Sequence, residues 1–261
     1  MSISPLAHVE EGAQIDPSAV IEPFTTIGAH AVIGANCHLG PHAHVTGRTT
    51  LGTGVRVLPF ASLGEIPPDL KFSGEPARLV VGDNTTIHEG ATLTIGTAHG
   101  RMETTVGSNC LIMSYCHVGH DSVVGDGVIM ANGAQLGGHV TVHDGAILGA
   151  LSGVHQFCVI GRRAFLAGGA KVTQDIPPWC IAQGDRARLV GLNVERMRRE
   201  KLDKVTRKAL MAVYRSCIRQ RLEPAAAKEQ LGELARNDEV QGFFAFLEAS
   251  ERGIPLERQA G

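Results

Sequence analysis

The chain has 261 residues, a formal net charge of -2, 43% hydrophobic residues and 4% aromatics, with 32 glycines. That apolar content can fill a sizeable core and excludes wholesale disorder. The scarcity of aromatics excludes a core of large interlocking rings, so small and β-branched residues must fill it. No run of 18 apolar residues occurs, so no membrane-spanning helix is expected. The first residues carry His8, Glu10 and Glu11 and lack an apolar signal segment, so a cytoplasmic location is expected. None of the six cysteines forms a C-x-x-C pair, and in that compartment they should be reduced and unbridged.

A period of six residues begins at Ile3. Every sixth position through Val9, Ile15, Ile21 and onward to Leu63 is aliphatic, eleven in succession. The residue four places after each is small or β-branched, as in Ala7, Ala13, Thr25, Ala31 and Cys37. The phase restarts at Val81, Ile87 and Leu93, and again at Val106, from which twelve hits run to Val172. Six fits neither an amphipathic helix nor an alternating strand. It fits a short strand, a corner and the next short strand, with three hexads closing a triangular coil. Such coils stack about 4.8 Å apart through parallel pairing. The expected fold is a parallel β-helix over residues 1–184, with Cys37, Cys110, Cys116 and Cys158 as core filler.

Two segments break the phase, Glu65–Val80 and His99–Thr105. A solenoid extrudes such insertions as loops on one face, often the binding face. The first carries Asp69, Lys71 and Glu75 and is read as a binding loop. The second is read as a plain surface loop.

The repeat ends near Pro177-Pro178, and residues 185–261 read as an α-helical C-terminal domain. Its expected helices are 193–202, 203–221, 225–236 and 238–250, with Pro224 as a break and Asn193, Asp203 and Asp238 as caps. Residues 186–221 hold 12 basic and 3 acidic side chains, against 8 and 15 in residues 1–185. That block suits an anionic partner such as a diphosphate or an acidic carrier protein. Nucleic acid is not expected, because no aromatic stacking platform accompanies the charge.

Histidines fall on neighbouring coils. His120 and His139 lie one coil apart, His155 follows, and His117 precedes the corner that leads to His120. Adding 18 maps His120 onto Gly138. An imidazole serves as a base near neutral pH, Asp121 can orient it, and the Gly138 amide can stabilise an oxyanion. That equipment suffices for acyl transfer to a hydroxyl. Zinc is the rival use, but no third ligand is fixed by spacing, and no metal is expected.

The segments His117-Val118-Gly119-His120-Asp121, Gly137-Gly138-His139, His155-Gln156-Phe157-Cys158, Ile181-Ala182-Gln183-Gly184 and Gly74-Glu75-Pro76 carry a resemblance. The hexads resemble the hexapeptide-repeat acyltransferase superfamily, whose β-helix is left-handed. The motifs resemble its UDP-N-acetylglucosamine O-acyltransferase family of lipid A biosynthesis, over nearly the whole chain. The resemblance implies a homotrimer with active sites between subunits. It implies transfer of a 3-hydroxyacyl group from acyl carrier protein to the glucosamine 3-hydroxyl of a UDP-amino sugar, without a further cofactor. It makes His120 the general base beside Asp121 and the Gly138 amide the oxyanion donor. His117, His139, His155 and Gln156 would contact donor or acceptor, and Asp69 and Lys71 the sugar nucleotide. Asn193, Glu195 and Arg199 would hold the nucleotide or the donor's phosphopantetheine, and Gly168 would end the acyl groove.

Two departures stand out. Thr94-Ile95-Gly96 replaces the family's usual histidine-arginine-glycine run, near the acceptor site. Glu200 stands where the family often has arginine, which changes the charge near the phosphates. The readings left open are an N-acyl- or acetyltransferase on a related UDP-amino sugar, and a non-catalytic β-helical scaffold that binds acidic partners.

Overall fold

The computed structural model describes residues 2–256. Each hexad supplies a short strand, and the strands form three parallel sheets that are the faces of a triangular coil. The first face begins with Ser2–Ile3 and Val20–Ile21, the second with His8–Val9 and Thr26–Ile27, the third with Gln14–Ile15 and Val32–Ile33. Pairing away from the insertions joins residues eighteen apart, so His117 pairs with Gln135, Gln135 with Gly153 and Gly153 with Lys171.

The aliphatics point inward. Ile27, Val45, Leu63, Leu93 and Val118 are each 0% exposed. The small residues fill the corners, and their polar atoms find backbone partners: the Thr25 hydroxyl donates to Gly40 O at 3.0 Å, and the Cys37 thiol to Gly52 O at 3.0 Å. All six cysteines are buried and unbridged. Coils approach so closely that a Cβ at Gly34 would lie 2.5 Å from Gly52 O. The interior is too narrow for rings, so aromatics project from corners. Phe24, His42 and Phe60 stack outside the coil with centroids 5.0 and 4.9 Å apart.

Both insertions leave from the corner between the second and third faces. The first spans residues 66–77, between the strands Ser62–Glu65 and Arg78–Val81. The second spans 95–102, between Thr92–Thr94 and Glu103–Val106. Both ends of the first loop and the end of the second are shifted from the sequence-based boundaries because these strands are longer than two residues, whereas the second loop begins earlier than expected, directly after Thr94. Arg78–Val81 pairs in continuous register with Arg48–Leu51 on one side and Glu103–Val106 on the other, which absorbs residues that the hexad phase assigns to loops.

The coil closes on Cys180–Gln183, which is parallel to Phe165–Leu166 and antiparallel to Arg188–Leu192. Helices follow: α1 (Val194–Arg199), α2 (Lys204–Val213) continuing as a π-helix over Tyr214–Arg219, α3 (Pro224–Leu231) and α4 (Asp238–Ala249). Asn193 and Asp203 cap α1 and α2, each carboxyl or amide oxygen accepting a backbone N–H of the first turn. Two local expectations change. Pro224 opens α3, because a missing N–H costs nothing at the first helical position. The cap of α4 is Asn237, whose Oδ1 accepts the Glu239 N–H at 3.1 Å, and Asp238 becomes the first helical residue.

Tail and coil are joined at Trp179, which is 0% exposed. Its indole N–H donates to Glu239 Oε2 at 2.8 Å, Arg162 donates to the other oxygen at 2.8 Å, and the Arg163 guanidinium lies 5.3 Å from the ring centroid.

Candidate active site

The eighteen-residue register stacks His120, Gly138 and Gln156 at the corner that also emits both loops. One position on, Asp121, His139 and Phe157 stack there too, all with left-handed backbone, φ 59°, 60° and 66°. His120 Nδ1 lies 2.8 Å from Asp121 Oδ2. Oδ2 also accepts the Thr97 hydroxyl at 2.7 Å, and Oδ1 accepts the backbone N–H groups of Thr97 at 3.0 Å and Arg101 at 2.7 Å. The Asp121 side chain is 0% exposed. Burial alone pushes its carboxyl toward the neutral acid, but the hydrogen bonds from His120, Thr97 and Arg101 outweigh that, and its pKa is held below the usual range.

An ionised carboxylate only accepts, so Nδ1 of His120 carries the proton and Nε2 presents its lone pair. Nε2 faces Gly138: a Cβ built there would lie 2.5 Å from it and 2.6 Å from Cε1. The Gly138 N–H has no acceptor among the described residues. A basic nitrogen and a free amide donor therefore meet at one spot, with the His120 side chain 17% exposed.

His139 lies edge-on to His120, with centroids 5.0 Å apart, and stacks on Phe157 at 4.5 Å. Burial lowers its pKa, while Asp121 and Asp69 pull the other way. Ligand atoms of His120, Asp121 and His139 lie within 4.8 Å of one another, the set among the described residues with the composition to hold a metal ion. The carboxylate's four acceptor sites are already taken by hydrogen bonds, which suits an orienting group better than a metal ligand.

The other expected residues divide into two groups. His117 accompanies the dyad: it points outward from the second face, its Nδ1 is 2.8 Å from the Thr92 hydroxyl, and burial followed by the His120 charge lowers its pKa. His155 and Gln156 are exposed two coils beyond His120, and Arg252 Nη2 comes within 3.2 Å of His155 Nδ1. Asp69 sits in the first loop, 3.8 Å from His99 of the second, with Lys71 exposed beside it. Glu75 ties the two loops by accepting the Ala98 and Ser73 N–H groups at 2.8 and 2.9 Å, and those bonds bring its pKa down to about 2.

Asn193, Glu195 and Arg199 do not join this corner. With Arg196, Glu200, Ile147, Phe165 and Ile181 they line a cavity of about 460 Å³ on the outer side of the first face, opposite the His120 corner. Asn193 caps α1, and Glu195 pairs with Arg199 at 3.1 Å. Gly168 lies at the corner between the first and second faces. The glycine with left-handed backbone there is Gly169, φ 70°, whereas a Cβ on Gly168 would meet Ala150 O at an ordinary 3.5 Å.

The two departures find structural accounts. Thr94 and Ile95 are each 5% exposed; the Thr94 hydroxyl donates to Val118 O at 3.4 Å, and the Ile95 N–H to Glu65 O at 3.1 Å. They root the second loop and are turned away from solvent. The Glu200 carboxylate is committed to Arg163 and Arg196.

The sequence reading missed Thr97, Arg101 and Arg252. Thr97 precedes the expected second insertion at His99, and its bonds depend on how the observed loop 95–102 closes; Arg252 lies 97 residues from its partner.

A hexad coil with an imidazole–carboxylate dyad facing a free glycine amide defines an acyltransferase of the hexapeptide class. The hexapeptide transferase pattern matches residues 6–40 and 103–138, and the second domain of UDP-N-acetylglucosamine O-acyltransferases matches residues 175–255. A protein of Anaeromyxobacter sp. named acyl-(acyl-carrier-protein)–UDP-N-acetylglucosamine O-acyltransferase is 50% identical over 255 residues, covering 97% of this chain and 99% of its own. One of the same name from Burkholderia orbicola is 46% identical over 257 residues, covering 97% and 98%. The solved UDP-N-acetylglucosamine acyltransferase of Francisella novicida superposes with a TM-score of 0.94 at 36% identity, covering 98% of this chain and 95% of that one. That of Arabidopsis superposes with 0.83 at 32% identity, covering 97% and 99%. The chain belongs to the UDP-N-acetylglucosamine O-acyltransferase family and shares its left-handed β-helix.

The contact between Gly138 and His120 yields a prediction. In Gly138→Ala the new methyl must displace the imidazole from Asp121 and crowd the free amide, while its backbone angles remain ordinary. The variant should fold with an unchanged circular dichroism spectrum and lose about 10²- to 10³-fold in kcat. Steady-state kinetics with wild-type-like turnover would remove Gly138 from the site.

Proposed function

We propose that this protein transfers a 3-hydroxyacyl group from acyl carrier protein to the 3-hydroxyl of UDP-N-acetylglucosamine or a close amino-sugar variant, the first step of lipid A biosynthesis. The observation that carries the reading is the His120 Nε2 lone pair, oriented through Asp121, facing the unpaired Gly138 N–H. Nε2 takes the proton of the sugar hydroxyl, and the oxygen attacks the thioester carbonyl carbon. The tetrahedral oxyanion rests on the Gly138 N–H. Collapse breaks the C–S bond, and the imidazolium returns its proton to the leaving phosphopantetheine thiolate. Asp121 stays ionised throughout and stabilises the imidazolium.

Asp69 and Lys71 sit on the loop tied to the dyad and suit the sugar nucleotide. His117, His139, His155 and Gln156 line the same corner and suit donor and acceptor. Asn193, Glu195 and Arg199 lie across the prism from His120, so they reach a shared substrate only from a neighbouring copy. That separation supports a homotrimer with sites between subunits.

The test is to incubate the protein with a panel of UDP-sugars and acyl-carrier thioesters and to identify products by mass spectrometry, with light scattering of the same sample. A trimer acylating UDP-N-acetylglucosamine is expected, with His120→Ala lowering turnover about 10²- to 10⁴-fold without changing the mass. Acylation of an amine alone would favour the N-acyltransferase reading, and no turnover at all the scaffold.

Acyl length gives a further expectation. Gly168 has room for a side chain and ordinary backbone angles, so it is free to act as an open groove end. Donors of about twelve to fourteen carbons should be preferred over ten, since four buried methylenes contribute about 3 kcal/mol, on the order of 10²-fold. Gly168→Met should fold and shift preference toward shorter donors. An unchanged chain-length ranking in competition assays would place the stop elsewhere.

A further inference from the structure

The second inserted loop has the form of a cradle. Three of the four hydrogen bonds to the Asp121 carboxylate come from it: the Thr97 N–H, the Thr97 hydroxyl and the Arg101 N–H. Thr97 is 0% exposed. Two glycines let the loop close: a Cβ at Gly96 would lie 2.9 Å from Asp121 Oδ1, and one at Gly100 would lie 2.2 Å from the carboxyl carbon. The loop is stiffened by its own turns, with the Gly100 and Met102 N–H groups both donating to Thr97 O at 3.1 Å, and is held from outside by Glu75.

The division of donors between the two oxygens is informative. Both backbone amides hold Oδ1. The Thr97 hydroxyl holds Oδ2, the oxygen that receives His120 Nδ1–H. Backbone amides alone anchor one oxygen and leave the carboxylate free to turn about it. The hydroxyl supplies the second anchor and fixes the oxygen that orients the imidazole.

We propose that Thr97 is a positioning residue of the reaction, acting on His120 through Asp121 Oδ2. This rests on the reading of His120 as the base. The hydroxyl donates to Oδ2 in both the resting enzyme and the imidazolium intermediate, and no bond to it forms or breaks.

Thr97→Val keeps the shape and removes the donor; Thr97→Ser keeps the donor. Kinetics should show kcat lowered about tenfold or more in Thr97→Val, the loss of one hydrogen bond to a charged group. KM for both substrates should stay within about twofold, and Thr97→Ser should restore turnover. In an Asp121→Asn background, Thr97→Val should cause no further loss, because the residue acts through the carboxylate. The amide of that background keeps its oxygen for the two backbone donors and so preserves the loop.

Equal losses in both backgrounds, a change confined to KM, or failure of serine to rescue would overturn the proposal. Should Thr97→Val unfold, Thr97→Ala takes its place under the same expectations; if that variant also unfolds, the residue is structural and the proposal falls. A wild type inactive on acyl carrier thioester and UDP-sugar would instead refute the functional reading. An active wild type with an unaffected Thr97→Val refutes the role of Thr97 alone.

Discussion

Parallel backbone pairing between residues eighteen apart is the constraint on which the rest of the structure depends. It fixes what lies above what. His120, Gly138 and Gln156 are brought together by copying one corner up the coil, so an imidazole, an amide donor and a polar neighbour need no separate loops to position them. The pairing is between backbones, so outward side chains can differ from coil to coil; His117, Gln135, Gly153 and Lys171 occupy one column with four chemistries. The same constraint governs the insertions. Each must return the chain to register, and the four-residue strands after each loop secure that return. Both loops leave from the corner that carries the dyad, so irregular backbone is available where the periodic coil has none.

Periodicity also decided what could be read in advance. The inward aliphatics and the small corner residues are legible because every coil repeats the same demand. The contact of His120 with Gly138 is legible by adding eighteen. Thr97 is not, because it stands ahead of the insertion expected at His99 and its partner depends on how the observed loop 95–102 closes; the expected insertion itself reads as a plain surface loop. The resemblance grouped Asn193, Glu195 and Arg199 with His120, and one chain separates them across the prism. The helical caps were nearly legible: Asn193 and Asp203 hold, while Asn237 and Asp238 are adjacent and both good caps, so composition alone could not choose between them.

The electrostatics of the site follow from geometry more than from formal charge. Asp121 is buried and ionised, yet among the described residues no lysine or arginine side chain bonds to it; two amides, a hydroxyl and an imidazole hold its charge. A fixed cation would compete with the imidazolium of the proposed reaction, whereas neutral donors leave the carboxylate's field available to it. Near α1 the logic is reversed. Glu200 neutralises Arg163 and Arg196, so the cavity there presents less positive charge than the count of basic residues suggests, and Arg163 is freed to cover Trp179.

Trp179 is the single tryptophan of the chain. It is sealed at the seam between the last coil and α4, bonded to Glu239 and faced by a guanidinium. Intrinsic emission excited at the indole band therefore reports on one place only. A red shift signals that the helical tail has lifted from the coil and let water in, whatever the state of the hexads below. Paired with far-ultraviolet dichroism, which sees the strands, it separates peeling of the tail from melting of the solenoid without any label.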